Sequence, residues 1–333
     1  MLPVLSRRKI LVVAAAAGVT YLPTAGYAAS AQRVYRIGVL PTFGDRPIWE
    51  EFVAELSRRG YTEGIHLRFE RPIPVERQLA LSDTADFERM VGELVKARVD
   101  VIFTQGGPGA IAAKSATSNI PIVFHTSPDP VGLGLVQSLS RPGANLTGSS
   151  VQAWETNTRE LQLLAEASGK LTNVAYLIPG GARFLPSYEP ATTALTAAAS
   201  KLAMRIQFAA YESVRELEPL VERLVRAGVD GIAVGDAPSS DDYRNLAALL
   251  LKLRVPSIGP PSDGFLLSVG YSGPAIGRVA ARQLAEVMKG VKPADIPVEQ
   301  ISTFELGINL RTAKALGLTI PRAMLLQATR VIR

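Results

Sequence analysis

The residues that could carry chemistry in this chain are a glycine-rich turn, two histidines and a few acids. Their types and spacing say which reactions are open. The stretch GGPGAIA, Gly106 to Ala112, joins an apolar run to an alanine-rich one. From Gly107 it reads G-x-G-x-x-A, the form of a dinucleotide fingerprint, which would make the chain an oxidoreductase. A fingerprint, however, follows the first strand of its unit and needs an acid about 20 residues on for the ribose. Here Pro108 follows Gly107, the turn comes after the third apolar run of its half, and IPIVFHTS reaches no acid before Asp129. What survives is general. A strand that enters a helix through glycines leaves unpaired N–H groups and the positive end of a helix dipole at the carboxyl edge of a sheet, where anions bind.

His66 and His125 both fall in strand-like runs, and no motif gives either of them a nucleophile with an orienting carboxylate. His66 reads as core or edge packing, and His125 as approaching the edge of a cleft. Asp241 and Asp242 are adjacent, so on a helix their side chains diverge into solvent. There is no HExxH and no cysteine. The expectation is therefore no metal, no cofactor and no catalytic residue. Lack of cysteine also rules out disulfides and the lipidated cysteine that tethers many exported binding proteins.

The elements that must position these residues alternate along the chain. Apolar runs occur at 35–40, 66–70, 100–104, 120–125, 173–178, 204–210, 230–235 and 255–259. Helical spacing lies between them, as in IWEEFVAELSRRG, FERMVGELVKA, ETNTRELQLLAEA and ELEPLVERLVRAG. Strands alternating with helices predict parallel sheets covered on both faces. A repeat says how many. LVKARVDVIFTQG (94–106) and LVRAGVDGIAVGD (224–236) share Leu, Val, Ala, Val, Asp and Ile without a gap. RIGVLP answers VAYLIP upstream, and NIPIVFH answers RVPSIGP downstream. The fold predicted is α/β, with two doubly wound Rossmann-like lobes built on parallel sheets. The first lobe is placed at 34–149 plus about 273–296, the second at 150–272 plus about 297–333. In the repeat, Asp236 matches Gly106, so facing lobes would set N–H donors against a carboxylate. That pairing suits an amino acid. The other reading of Asp236 is an N-cap for the helix beginning near Ser239.

The first residues have the parts of an export signal: Arg7, Arg8 and Lys9, an apolar stretch from Ile10 to Val19, and small residues at Ala28 to Ala31. Ser6-Arg7-Arg8 also resembles a twin-arginine signal. Cleavage after about residue 31 is expected. The alternative, an uncleaved anchor, has a dense apolar part only about half the roughly 20 residues that a spanning helix needs. Without the three basic residues the formal net charge drops from +6 to +3. The remaining charges form no basic run, so nucleic acid is not an expected partner.

The chain resembles ABC-transporter substrate-binding proteins of the group that includes bacterial tryptophan-binding proteins. The residues that carry the resemblance are YRIGVL, ELSRRGYTEGIHLRFE, LVKARVDVIFTQG, IPIVFHTSPDPVGLGLVQSLSRPGANLTG, GYSG and KPADIPVEQISTFELGINLRTAKALGLTIP. The resemblance implies a type I periplasmic binding protein fold with three interlobe crossovers. It implies a protein that closes on a small molecule, an amino acid or other carboxylate, and hands it to an ABC permease; an exported monomer with no lipidated cysteine to tether it is expected in a periplasm, between the two membranes of a Gram-negative bacterium. Carried over residue by residue, the ligand contacts would be Pro41, Thr42, Phe43, Gly106, Gly107, Pro108, Ser127, Pro128, Asp129, Asp236, Ala237 and Tyr271. ANLTG and PVEQ would lie at crossovers. The family usually has threonine or serine before the proline of the third-strand turn. Gly107 departs from that, so backbone donors carry more of the binding there. A periplasmic sensor presenting the same cleft to a receptor is the alternative role.

Overall fold

The computed structural model describes residues 33–40, 46–72, 84–126, 129–151, 153–180, 188–235 and 240–333. Its first half runs β1 (Tyr35–Val39), α1 (Arg46–Arg58), β2 (Leu67–Glu70), α2 (Thr84–Lys96), β3 (Val101–Gln105), α3 (Gly107–Ala116), β4 (Ile122–Thr126) and β5 (Leu146–Val151). The second half follows with α4 (Ala153–Ser168), β6 (Asn173–Pro179), α5 (Tyr188–Lys201), β7 (Arg205–Tyr211), α6 (Leu217–Arg226), β8 (Gly231–Val234), α7 (Ser240–Lys252), β9 (Ser257–Gly259) and β10 (Leu267–Tyr271). The chain ends with α8 (Gly273–Met288), β11 (Glu299–Ile301), β12 (Phe304–Asn309), α9 (Leu310–Leu316), α10 (Arg322–Gln327) and β13 (Arg330–Ile332).

These strands form two sheets, in the orders β11-β5-β4-β3-β1-β2 and β13-β12-β10-β9-β8-β6-β7. The inner orders 5-4-3-1-2 and 10-9-8-6-7 are the same path taken twice, so the sequence repeat is a repeat of topology. Strand pairs are parallel except β10 with β12. Sheets covered on both faces need mostly apolar strands, and every residue of β3 and β4 is buried. One face of the first sheet packs on α2 and α3, the other on α1 and α8. In the second sheet α4, α5, α9 and α10 take one face and α6 and α7 the other. The stripe that makes α6 a covering helix is Leu217, Leu220, Val221 and Leu224, all on one side at helical spacing.

The repeated Val-Asp has a physical reason. Asp100 accepts the Arg36 N–H at 2.8 Å, and the Asp100 N–H returns a bond to the Arg36 carbonyl at 2.8 Å. Asp230 accepts the N–H groups of Asn173 at 2.9 Å and Thr172 at 2.8 Å, and its own N–H bonds the Asn173 carbonyl at 2.9 Å. In each lobe the aspartate before the third strand pins the start of the first. The residue two places earlier, Arg98 or Gly228, turns the chain out of its helix with φ of 53° or 88°.

Three crossovers join the lobes: β5 to α4, β10 to α8, and β11 to β12. α8 returns to the first sheet, where Gly277 meets α1. A Cβ there would stand 2.5 Å from the Ile48 carbonyl oxygen and 2.9 Å from the Phe52 nitrogen. Two lobe boundaries fall elsewhere than expected. β5 runs through the division placed at 149/150. The chain also stays with the first sheet past 296, because Glu299, Gln300 and Ile301 pair with Ser149, Ser150 and Val151.

Candidate functional site

A site between the lobes must be built where the carboxyl ends of the two sheets converge, and that place is fixed by packing. Val151 and Ile301 end β5 and β11 in the first sheet. Tyr271 ends β10 in the second, and it packs against the cluster that holds both of them. Ligands of open α/β sheets sit outside such strand ends.

On the first lobe this edge carries the glycine turn. Gly106 has φ 83° and ψ 148°, a conformation that favours glycine, and its N–H bonds the His125 carbonyl at 2.7 Å. Helix α3 begins at Gly107 with Pro108 in its first turn, and Gly106 supplies no side-chain cap. Gly109 lets the helix lie on β3, since a Cβ there would fall 2.4 Å from Thr104 Oγ1. The turn is thus a helix seat after the sheet's third strand. It presents the N–H groups of a ten-residue helix to the edge. Thr126, whose hydroxyl is buried and has no hydrogen-bond partner among the described residues, ends the neighbouring β4.

Asp129 lies close by, but its carboxylate serves its own loop. One oxygen accepts the Val131 N–H at 2.9 Å, and the other would be 2.9 Å from a Cβ at Gly132. Tyr271 is half-buried against Ile48, Val151, Ile276 and Ile301. Pro41, Thr42, Phe43, Ser127, Pro128, Asp236 and Ala237 lie outside the described residues. Described β8 is followed by Gly235, whose N–H bonds the Leu177 carbonyl at 3.0 Å. The second lobe also shows an acid at its edge that sequence reasoning missed. Glu212 follows β7, and its carboxylate lies over Gly180, where a Cβ would meet it at 2.2–2.3 Å. No local motif marks that contact, because it arises only when β6 and β7 pair in the register Pro179 with Tyr211.

His125 and Ser149 form the one serine–histidine pair that chemistry would notice among the described hydrogen bonds. Nδ1 stands 3.0 Å from the serine Oγ. Register sets Gln105, His125, Ser149 and Glu299 in one row across four strands. Yet Ser149 has 0% exposure and His125 7%, and Glu299 is bonded to Arg282 and Gln283 on α8. Burial holds the imidazole neutral, lowering its pKa from 6.5 to about 4. The pair can orient the two strands. Among the described residues no group of three or more His, Asp or Glu could hold a metal ion, and no helix is long and apolar enough to cross a membrane.

Comparison with known proteins bears on the whole of this architecture. The profile described as ABC transporter substrate binding protein matches residues 56–332. A tyrosine-binding protein from Clostridioides difficile is 26% identical over 275 residues, which are 80% of this chain and 75% of that protein. An ABC domain in complex with L-Trp from Streptococcus pneumonia superposes with a TM-score of 0.78 at 23% identity, covering 90% of this chain and 100% of the other. The ligand-free, open structure of a substrate binding protein with adhesive properties from Clostridium difficile gives 0.65 at 22% identity, covering 90% and 99%.

Proposed function

The chain belongs to the ABC transporter substrate binding proteins and has their two-lobed type I periplasmic binding fold, and from that premise we propose that it binds an amino acid between the lobes and delivers it to a membrane permease. The observation that carries this reading is the glycine-opened start of α3, with no side-chain cap, at the carboxyl edge of the first sheet. Backbone N–H groups there suit a carboxylate, and the second lobe supplies Asp236, by the repeat, for an ammonium. Tryptophan and tyrosine are the first candidates, since relatives carry those names or ligands.

The role is binding without catalysis, carried out by a monomer in the periplasm after removal of the N-terminal export signal. The ligand contacts are Pro41 to Phe43, Gly106 to Pro108, Ser127 to Asp129, Asp236, Ala237 and Tyr271, with closure favouring the state that touches both lobes.

Thermal unfolding of ligand-stripped protein tests the reading with L-tryptophan and L-tyrosine against tryptamine and tyramine, which lack the carboxylate. A ligand at about 100 times its Kd adds about 2.7 kcal/mol to the folded state. The amino acids should raise the melting temperature by several degrees and the amines should not. Equal effects of acid and amine would remove the carboxylate from the mechanism, and no effect of any small carboxylate would remove the proposed ligand class.

A further inference from the structure

We propose that Tyr271, at the end of the second sheet's β10, is a latch: it seats on an aliphatic cluster of the first lobe at the crossovers and sets the balance between open and closed lobes. The proposal rests on the reading of the chain as a closing two-lobed binder. It assigns Tyr271 a conformational role beside the ligand contact suggested by resemblance.

The cluster gathers one residue from each crossover. Val151 is the last residue of β5, Ile301 the last of β11, and Ile276 lies in the first turn of α8 directly after β10. Ile48 of α1 closes it. These four are 4%, 7%, 4% and 3% exposed respectively, a dry surface that Tyr271 joins from the other sheet.

The surroundings decide where bending can occur. α1 and α8 form a closely packed platform: Gly277 abuts α1 backbone and Gly273 abuts Pro47, where a Cβ would come within 3.1 Å. The Ser272 N–H bonds the Thr303 carbonyl at 3.0 Å, tying the second crossover to the third. Ser272 Oγ also accepts the Ala275 N–H at 3.4 Å and caps α8. Rotation of the lobes must therefore bend the short links that follow Val151, Tyr271 and Ile301. Any such rotation changes how Tyr271 packs against the cluster that Ile301 and Ile276 belong to. Apolar area gained or lost there differs between the two states, and a difference between states is what shifts a population.

The chain has no cysteine, so spin labels can be placed cleanly. Ser57→Cys at the end of α1 and Lys252→Cys at the end of α7 mark the two lobes, both at exposed positions. Double electron–electron resonance on ligand-free protein then reads the interlobe distance. Ile301→Val and, independently, Ile276→Val each trim one methylene from the cluster, a change small enough to keep the fold. Either should change the ratio of long to short distances by about twofold or more. A broad wild-type distribution on which both variants superimpose would overturn the latch and leave the closing binder intact. A single narrow distance in wild type and both variants would also overturn the latch, and if saturating L-tryptophan or L-tyrosine left that distance unchanged it would overturn the closing binder as well.

Discussion

Lowering the pH should unfold this protein partly through one side chain, His125, and the size of that contribution can be worked from its burial. The imidazole is enclosed between the first sheet and α8, and its pKa falls from 6.5 to about 4 because burial disfavours the charged form. An unfolded chain takes up this proton below about pH 6.5, whereas the folded chain resists it down to about pH 4. Between those values the unfolded state binds more protons, so stability falls as pH falls and levels off below about 4. The gap is worth about 3 kcal/mol in full, and roughly 2 kcal/mol of it is lost between about pH 7 and pH 4.5. His125→Gln keeps a hydrogen-bonding partner for Ser149 and removes the titration. Urea unfolding of both proteins at the two pH values isolates the term, since acids elsewhere titrate alike in each. The wild type should lose about 2 kcal/mol more than the variant. Equal losses, within about 0.5 kcal/mol, would show that the folded state protonates His125 without penalty and would refute the argument.

Two further predictions concern how the lobes are held. Gly277→Ala should push α8 off α1, because its Cβ would stand 2.5 Å from a carbonyl oxygen that cannot yield as a side-chain end would. A loss of about 1–3 kcal/mol in chemical denaturation is expected, and an unchanged midpoint would show that the helices have slack. Asp230→Ala leaves the N–H groups of Thr172 and Asn173 without their carboxylate, which holds them at 2.8 and 2.9 Å. It should cost about 1–3 kcal/mol by the same measurement and speed hydrogen exchange at the start of β6, with no such change in β1.

Much of the fold is legible in local composition. β3 and β4 appear as short β-branched runs because strands buried on both faces are mostly apolar. α6 appears as a stripe because a covering helix must be apolar on one side. β5 escapes this reading. Its LTGSSV is buried from end to end, yet its polar side chains are satisfied by distant partners: Thr147 donates to the Ile296 carbonyl at 2.7 Å and Ser149 meets His125. Gly148 is required because a Cβ there would strike the Phe124 carbonyl oxygen at 2.0 Å, a clash with a neighbouring strand that no local pattern encodes.

The sequence by itself determined that Gly106 to Gly109 form a turn into a helix, that Asp100 and Asp230 occupy matching places, and that two similar lobes follow one another. Those features depend on backbone freedom and periodicity over a few residues, and such preferences are written where they act. Only the tertiary structure decided that Glu212 folds over Gly180 and that Tyr271 packs on the cluster of Ile48, Val151, Ile276 and Ile301 at the crossovers. Each of these joins segments whose separation along the chain carries no signal of contact, because proximity between them is set by strand order and helix packing in the whole molecule.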